Sequence, residues 1–377
     1  METGISIYTV ILISAISLYL ALIFAMTLGW LKTAYFFYNL EQPATKVSVI
    51  VAARNEAENL PRLFHSLKKQ NYPGELTEIV LVDDHSTDQT YLLFETFSQE
   101  KDNVVCLKSK GEGKKAALKT ALEKASGDLI LTTDADCSMG KSWIRSMATF
   151  FEKEKPEIIL GTVVYKEEKN LLQKFFSLEF LSLVASGAGS SGLNLPFSGN
   201  AANMGLSKRV INDKKLSLGE KFSSGDDIFL IHATAKKYGS GSVKFLKDRK
   251  SIVSTLPPAN LKEFINQRIR WGSKAKGYKM FWALFTATTV LFFNAVTVAT
   301  FVSGIIHPAI FIIYLLLVII KFLTDYPLLN GFAMFVKKKE LLKYLLFFEF
   351  IYPFYLFYTA LFSLFAKYSW KGRENLR

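Results

Sequence analysis

The run Leu129-Ile-Leu-Thr-Thr-Asp134-Ala135-Asp136 ends in two carboxylates separated by one small residue. Side chains alternate along an extended chain, so Asp134 and Asp136 lean to the same side, and Ala135 leaves space between them for a bulky ligand. Two carboxylates are few for a protein-only metal cage. They suit Mg²⁺ or Mn²⁺, which keep several waters and take further oxygens from substrate phosphates. The chemistry on offer is the holding of a metal-bound diphosphate. A polar turn that merely closes a strand has the same spacing, so the weight comes from other acids. Asp83 and Asp84 close Glu78-Ile-Val-Leu-Val-Asp83, Asp88 follows, and Arg54-Asn55-Glu56 closes Val47–Ala53. Helix capping accounts for Ser86, Asp88 and a helix start at Arg54-Asn55-Glu56. It gives no reason for acids at Asp83, Asp84, Asp134 and Asp136 together, because crowded like charges are costly unless a cation or hydrogen-bond donors offset them.

Further polar groups lie downstream. A turn at Gly111-Glu-Gly-Lys114-Lys115 precedes a helix; Gly199 permits close backbone approach to a ligand and Asn200 and Asn203 offer amides, although a plain flexible loop accounts for this stretch equally. Asp226 and Asp227 open an apolar helix, where acids also serve as caps and dipole partners. In Leu261-Lys-Glu-Phe-Ile-Asn-Gln267-Arg268-Ile-Arg270-Trp271, residues three and four apart share a helix face, which groups Gln267, Arg270 and Trp271. Arg270 is suited to grip a phosphate bidentately and Trp271 to stack on a sugar ring. A snorkelling interfacial helix explains Arg268, Lys274 and Lys276 equally well but leaves Gln267 without a reason. Cys106 and Cys137 form no disulfide framework, no His stands near Cys137, and the four histidines lack zinc spacing.

The elements that must position these groups alternate. Strands are predicted over Val47–Ala53, Glu78–Asp83, Val104–Leu107 and Leu129–Asp134, with helices over Ala57–Gln70, from Gln89, and up to Ala125. Such alternation implies an α/β fold with a doubly wound parallel sheet, whose ligands bind beyond the carboxyl ends of the strands. Three of those ends are polar or acidic. Past Ile158–Val164 the pattern changes: Leu171–Ala185 reads as an interfacial or domain-covering helix, followed by a Gly/Ser-rich stretch, Ser186–Gly192.

The 377 residues include 32 Phe and 16 Tyr, concentrated towards the two ends of the chain. Ile5–Gly29 and Met280–Ile306 carry no charge and are long enough to cross a bilayer; Pro308 to about Asp325 and Phe350–Ala366 extend the pattern. The first segment lacks the positive leader and the short apolar core of a cleavable signal, so it reads as an anchor. Lysines and arginines flank the middle region, which places it in the cytoplasm. The last segment conflicts with that rule, since a full crossing exports the basic tail; Pro353 and Glu349 also suit a broken or interfacial helix. The expected layout is an anchor over residues 1–32, a catalytic domain over 46–277, a membrane region of two to three spans over 280–366 and a tail over 367–377. The net charge of +13 sits largely beside apolar spans, which favours membrane lipids over nucleic acid as the partner.

In order and approximate spacing, Val47–Asn55, Asp83-Asp84-His-Ser-Thr-Asp88, Gly113-Lys114, Asp134-Ala135-Asp136, Gly225-Asp226-Asp227 and Gln267-Arg-Ile-Arg270-Trp271 resemble the membrane-bound family 2 glycosyltransferases. That group includes cellulose, chitin and hyaluronan synthases and ceramide glucosyltransferase. The resemblance covers about Lys46 to Trp271. It implies a GT-A fold, a nucleotide-sugar donor such as a UDP-sugar, a divalent cation (Mg²⁺ or Mn²⁺) and inversion at the anomeric carbon. It also implies roles. Ala53, Asn55, Glu56, Asp83, Asp84, Lys114, Asp134, Ala135, Asp136, Gln267 and Arg270 bind the donor, with Asp134 and Asp136 also holding the metal. Asp227 acts as base beside Asp226, and Gly199, Asn200 and Trp271 receive the acceptor. The chain departs from the family at Gly225-Asp226-Asp227, where Glu-Asp is usual, so the acidic neighbour of the base is shortened. The expected activity is transfer to a lipid-linked or short glycan acceptor. The alternatives are a processive polysaccharide synthase, whose channel needs more spans or partner subunits, and an inactive membrane scaffold.

Overall fold

The computed structural model describes residues 2–37, 44–213, 226–365, 368–370 and 373–375. In chain order, helix α1 (Glu2–Lys32) leads to β1 (Val47–Ala53), α2 (Leu60–Lys68), β2 (Thr77–Asp83), α3 (Thr90–Gln99), β3 (Val104–Lys108), α4 (Lys114–Lys124) and β4 (Leu129–Asp134). The short β5 (Ser138–Met139), α5 (Trp143–Glu154), β6 (Ile158–Leu160), β7 (Val163–Tyr165), α6 (Leu171–Gly192), β8 (Met204–Ser207) and α7 (Lys208–Asn212) follow. Then come α8 (Asp226–Tyr238), β9 (Val243–Phe245), β10 (Val253–Thr255), α9 (Leu261–Gly272), α10 (Phe281–Ile306), α11 (Pro308–Phe335), α12 (Leu345–Phe365), β11 (Tyr368–Trp370) and β12 (Arg373–Asn375).

The main sheet has the order β3-β2-β1-β4-β8-β6-β9. Its first four strands are parallel, as their continuous apolar runs require: Val49, Val51, Val80, Val82, Leu129 and Leu131 are fully buried because helices cover both faces. Strand β8 runs antiparallel between β4 and β6, so the sheet is mixed rather than wholly parallel. The stretch Ile158–Val164 divides at Gly161-Thr162 into β6 in the main sheet and β7 in a three-stranded sheet with β5 and β10. At that bend a Cβ on Gly161 would lie 2.4 Å from the Asn203 side chain, so the corner requires glycine.

Helix α6 does not stop at Ala185 but continues through the Gly/Ser-rich stretch to Gly192. A Cβ on Gly189 would lie 2.3 Å from the Met26 carbonyl oxygen, and one on Gly192 would lie 2.1 Å from that of Gly29. These glycines let the backbones of α1 and α6 touch, which is how helices pack where water supplies no driving force between them. Helix α1 shows one buried stripe, Ala15, Tyr19, Leu22, Ile23, Met26 and Trp30, while Ile7, Val10, Phe24 and Leu31 stay exposed, as a lipid-facing side would.

Among the described residues, four helical segments are long and apolar enough to cross a membrane: Ile7–Lys32, Phe281–Ile306, Pro308–Phe335 and Lys339–Leu364. Helix α11 passes Asp325 and ends ten residues later than its charges predict. Lys321 Nζ lies 2.6 Å from Asp325 and 2.7 Å from Glu349, and Tyr19 donates to Asp325 at 2.7 Å, so the charges find partners inside the bundle and need not mark its edge.

Candidate active site

Asp134 and Asp136 stand where β4, at the middle of the main sheet, runs out at its carboxyl end. Lys114 in the first turn of α4 reaches across to donate to Asp134 Oδ1 at 2.5 Å. Burial alone would lower the Lys114 pKa, but the Asp134 and Asp227 carboxylates outweigh it and keep the ammonium protonated. The end of β4 and the start of α8 therefore converge on one cation.

Asp136 is in the opposite situation. Burial, Asp134 and Glu56 push its carboxyl above the usual range, against which the Cys137 thiol (3.5 Å) and the Thr255 hydroxyl (3.1 Å) donate to it. Burial also pushes Asp227 up, but Lys274 at 3.7 Å, the Ile228 N–H at 2.9 Å, Lys114 and the Ala201 N–H together hold it below its ordinary value. Of these two acids, Asp227 is kept ionised and Asp136 is crowded. Cys137 is buried with its thiol pushed well up by burial and by Asp136, so it stays protonated.

The crowding bears on a metal. Among the described residues no three His, Cys, Asp or Glu side chains converge as a ready-made ligand set. Asp134 and Asp136 are hard oxygen donors of like charge beside Glu56, a set that fits a divalent cation completed by water and substrate oxygens.

Most of the sequence-predicted residues share one cavity of about 1870 Å³. Glu56, Lys114, Asp134, Ala135, Asp136, Gly199, Asn200, Asp227, Gln267, Arg270 and Trp271 all line it. Ala53, Asn55, Asp83 and Asp84 are not among its lining residues. Asp84 Oδ1 accepts from the Gly113 N–H at 2.8 Å, and Gly113 has φ 93°, so Asp84 shapes the turn that presents Lys114. Asn55, at φ 51°, accepts from the Thr87 N–H at 2.8 Å, and Asp83 accepts from the Ser86 N–H at 3.2 Å. Asp88 accepts from the N–H groups of Thr90 and Ala57, the capping role considered for it. Asp226 opens α8, and its side chain lies outside the described residues.

Asn200 caps a short turn by accepting from the Ala202 N–H at 2.9 Å. A Cβ on Gly199 would press on Leu160 and Ile231 at 2.7 and 2.8 Å, so the glycine serves packing as well as access. Asn203 offers no amide to a ligand. It is fully buried, donates to the Thr162 and Ser251 carbonyls at 2.8 Å each and accepts from Trp143 Nε1 at 2.9 Å. Nor does Arg268 snorkel: it is buried in an ion pair with Glu179 of α6. Sequence reasoning passed over Glu179, Thr255 and, as a site residue, Lys274. The signals were present in a lone acid within an apolar helix and a lysine one turn beyond Trp271.

The cavity continues between the candidate membrane helices, where Val290, Leu328, Leu356 and the Lys321–Asp325–Glu349 cluster line it.

Residues 48–212 match glycosyl transferase family 2. Glycosyltransferase AglE of Haloferax volcanii is 25% identical over 242 residues, which span 63% of this chain and 74% of AglE. Undecaprenyl-phosphate 4-deoxy-4-formamido-L-arabinose transferase of Salmonella paratyphi B is 32% identical over 135 residues, 35% of this chain but only 41% of that protein. Among solved structures, the mannosyltransferase PcManGT from Pyrobaculum calidifontis, in complex with GDP-Man and Mn2+, aligns with a TM-score of 0.60 and 17% identity over 94% of this chain and 99% of its own. That likeness extends through the membrane helices and shows a shared fold.

Proposed function

Residues 48–212 are a glycosyl transferase family 2 domain on a GT-A fold, and on that premise we propose that the chain transfers a sugar, with inversion, from a UDP-sugar to a lipid-linked or short glycan acceptor at the cytoplasmic membrane face. The observation that carries this reading is the single cavity with Asp134, Asp136 and Asp227 at one end and membrane helices at the other. An acceptor anchored in lipid can present its hydroxyl to such a site without leaving the bilayer. The Salmonella relative, named for undecaprenyl-phosphate, supports a lipid-linked acceptor, and the GDP-Man and Mn2+ in the Pyrobaculum structure support a nucleotide-sugar donor and a divalent cation.

In this reading Asp227, held ionised by Lys274, takes the proton from the acceptor hydroxyl as it attacks the anomeric carbon. Lys114 and Arg270 face the nucleoside diphosphate that leaves. Asp134 and Asp136 would hold a divalent cation, which would supply Lewis-acid stabilisation of that diphosphate. Trp271, packed against Phe180 with ring centroids 6.0 Å apart, offers an apolar face to a sugar.

The domain layout follows: anchor 1–32, catalytic domain 46–277, membrane region 280–366. Helix α12 starts with Phe348 against Phe175 and nears its end beside Gly272, where an added Cβ would lie 3.0 Å from Ser363; β11 then packs on α9. Both ends of α12 thus lie against the catalytic region, which supports a helix that returns to the domain's side and keeps the basic tail there, as the charge rule asks.

The test is a panel of UDP- and GDP-sugars given to purified protein with and without Mn²⁺, scored by nucleoside diphosphate release and by label in lipid extracts. Release that requires Mn²⁺, with label in the lipid fraction, is the expected result. Long labelled polymer would replace this reading with a polysaccharide synthase. No release from any donor would overturn it.

A further inference from the structure

Glu179 lies on α6, far along the chain from α9, and its carboxylate accepts from two of the three Arg268 nitrogens. Arg268 Nε lies 2.9 Å from both Glu179 oxygens, Nη2 also donates to Oε2, and the Tyr355 hydroxyl donates to Oε1 at 3.0 Å. The pair is 4% exposed on each side. The Arg268 guanidinium is also clamped between rings, 4.5 Å from the centre of Phe264 and 4.3 Å from that of Trp271. The third nitrogen is directed elsewhere: Nη1 donates to Gln267 Oε1.

That contact decides which way the Gln267 amide faces. A guanidinium has no acceptor, so the atom of Gln267 beside Arg268 must be the oxygen. The Tyr165 hydroxyl donates to the same oxygen at 3.1 Å. With Oε1 engaged twice, the Gln267 –NH2 is left as the group it offers to the cavity that it lines. The same pairing neutralises Arg268, which sets it apart from Arg270, its neighbour on the cavity wall.

We propose that Glu179 is a positioning residue: through Arg268 it orients the Gln267 amide to donate to a substrate oxygen and holds one face of Trp271 covered, leaving the rest of the ring to the sugar. This rests on the transferase reading above and adds a residue to it from a membrane-packed helix. It also fixes the chemistry that Gln267 recognises, an oxygen acceptor such as a phosphate or ring hydroxyl, and excludes an N–H donor.

Breaking the pair by Glu179→Gln strands a buried guanidinium, so loss of activity in that variant alone is ambiguous. The informative protein is the double variant Glu179→Gln/Arg268→Gln, which has no unpaired charge and retains two side chains able to hydrogen-bond each other. The two variants and the unaltered full chain are compared by thermal unfolding, by the Kd of UDP and of GDP with Mn²⁺, and by kcat and KM for nucleoside diphosphate release. The expected result is a double variant with its unfolding temperature restored, kcat still at least about tenfold down and nucleotide Kd raised. Gln267→Glu, which swaps the donated –NH2 for a carboxylate oxygen, should weaken nucleotide binding with no change in unfolding temperature. Restoration of kcat and Kd along with stability in the double variant would show Glu179 to be a structural counter-ion only. Nucleotide binding by Gln267→Glu as tight as that of the unaltered chain would overturn the amide orientation. If the unaltered chain binds nucleotide but releases none from any donor, the transfer reading fails, while the Kd comparisons still decide the role of Glu179.

Discussion

Two clusters of charge line the same cavity and are built on opposite terms. In the membrane bundle, Lys321 is paired with both Asp325 and Glu349, Tyr19 donates to Asp325, and Lys321 and Glu349 are 2% and 3% exposed. At the carboxyl end of β4, Asp134 and Glu56 both act on Asp136, with Lys114 paired to Asp134 and Lys274 at 3.7 Å from Asp227. The first cluster holds its own cation between its acids; the second sets acid against acid, a repulsion that a cation from outside would relieve. Paired charges mark where helices are held together, and crowded acids mark where a ligand is awaited.

Asp227→Asn should separate the two most sharply. The carboxylate is lost but the shape is kept, so turnover falls about 10²–10⁴-fold while the unfolding temperature moves by only a few degrees. A collapse in stability would instead make Asp227 a structural partner of Lys274. Lys321→Met should do the reverse, costing about 3–5 kcal/mol in thermal unfolding, because it leaves the buried Glu349 and the half-buried Asp325 without a cation. Nucleotide affinity of its folded fraction should be unchanged, and equal losses in both assays would erase the distinction between the clusters.

Asp136→Asn carries two signs at once. The Mn²⁺ concentration needed for half-maximal activity should rise at least about tenfold. Stability without cation should rise, because the repulsion from Asp134 and Glu56 is gone. The pH dependence follows the same logic. Folding raises the Asp136 pKa, so the folded chain binds the proton more tightly than the unfolded one. Cation-free stability is therefore lost as pH climbs from the ordinary carboxylate value through the raised one. A variant that is both less stable and normal in cation requirement would place Asp136 among the satisfied charges.

The smallest effect belongs to Lys274→Gln. Asp227 is held below its ordinary pKa and must be ionised to accept a proton, so the acid limb of kcat/KM should lie low in the unaltered enzyme. Without Lys274, burial gains weight and the limb should move up in pH with little change at its plateau, as a pH–rate profile would show.

Much of this was written along the chain. Alternating strands and helices end in acids because carboxyl ends of parallel strands face ligand, and that periodicity placed β1, β2 and β4, the Asp134-Ala135-Asp136 pair and the start of α8 at Asp226. Gln267, Arg270 and Trp271 were legible as one helix face. The Gly/Ser stretch was not legible as helix, because small residues look alike whether a loop needs freedom or two backbones need to touch. Only the contact of Gly189 with Met26 tells them apart. Asn203 and Asn200 likewise differ by partner rather than by type: one is walled in by Trp143, Thr162 and Ser251, the other opens on the cavity.

What the sequence determined by itself, then, is which residue types stand at strand ends and which segments prefer lipid, since both follow from local periodicity and hydropathy. Tertiary structure alone decided which charges are spent on each other. Glu179 and Arg268, or Lys321 and Glu349, meet only because α6, α9, α11 and α12 pack together. A charge interacts over a few ångströms of space whatever the distance along the chain, and no local pattern records that meeting.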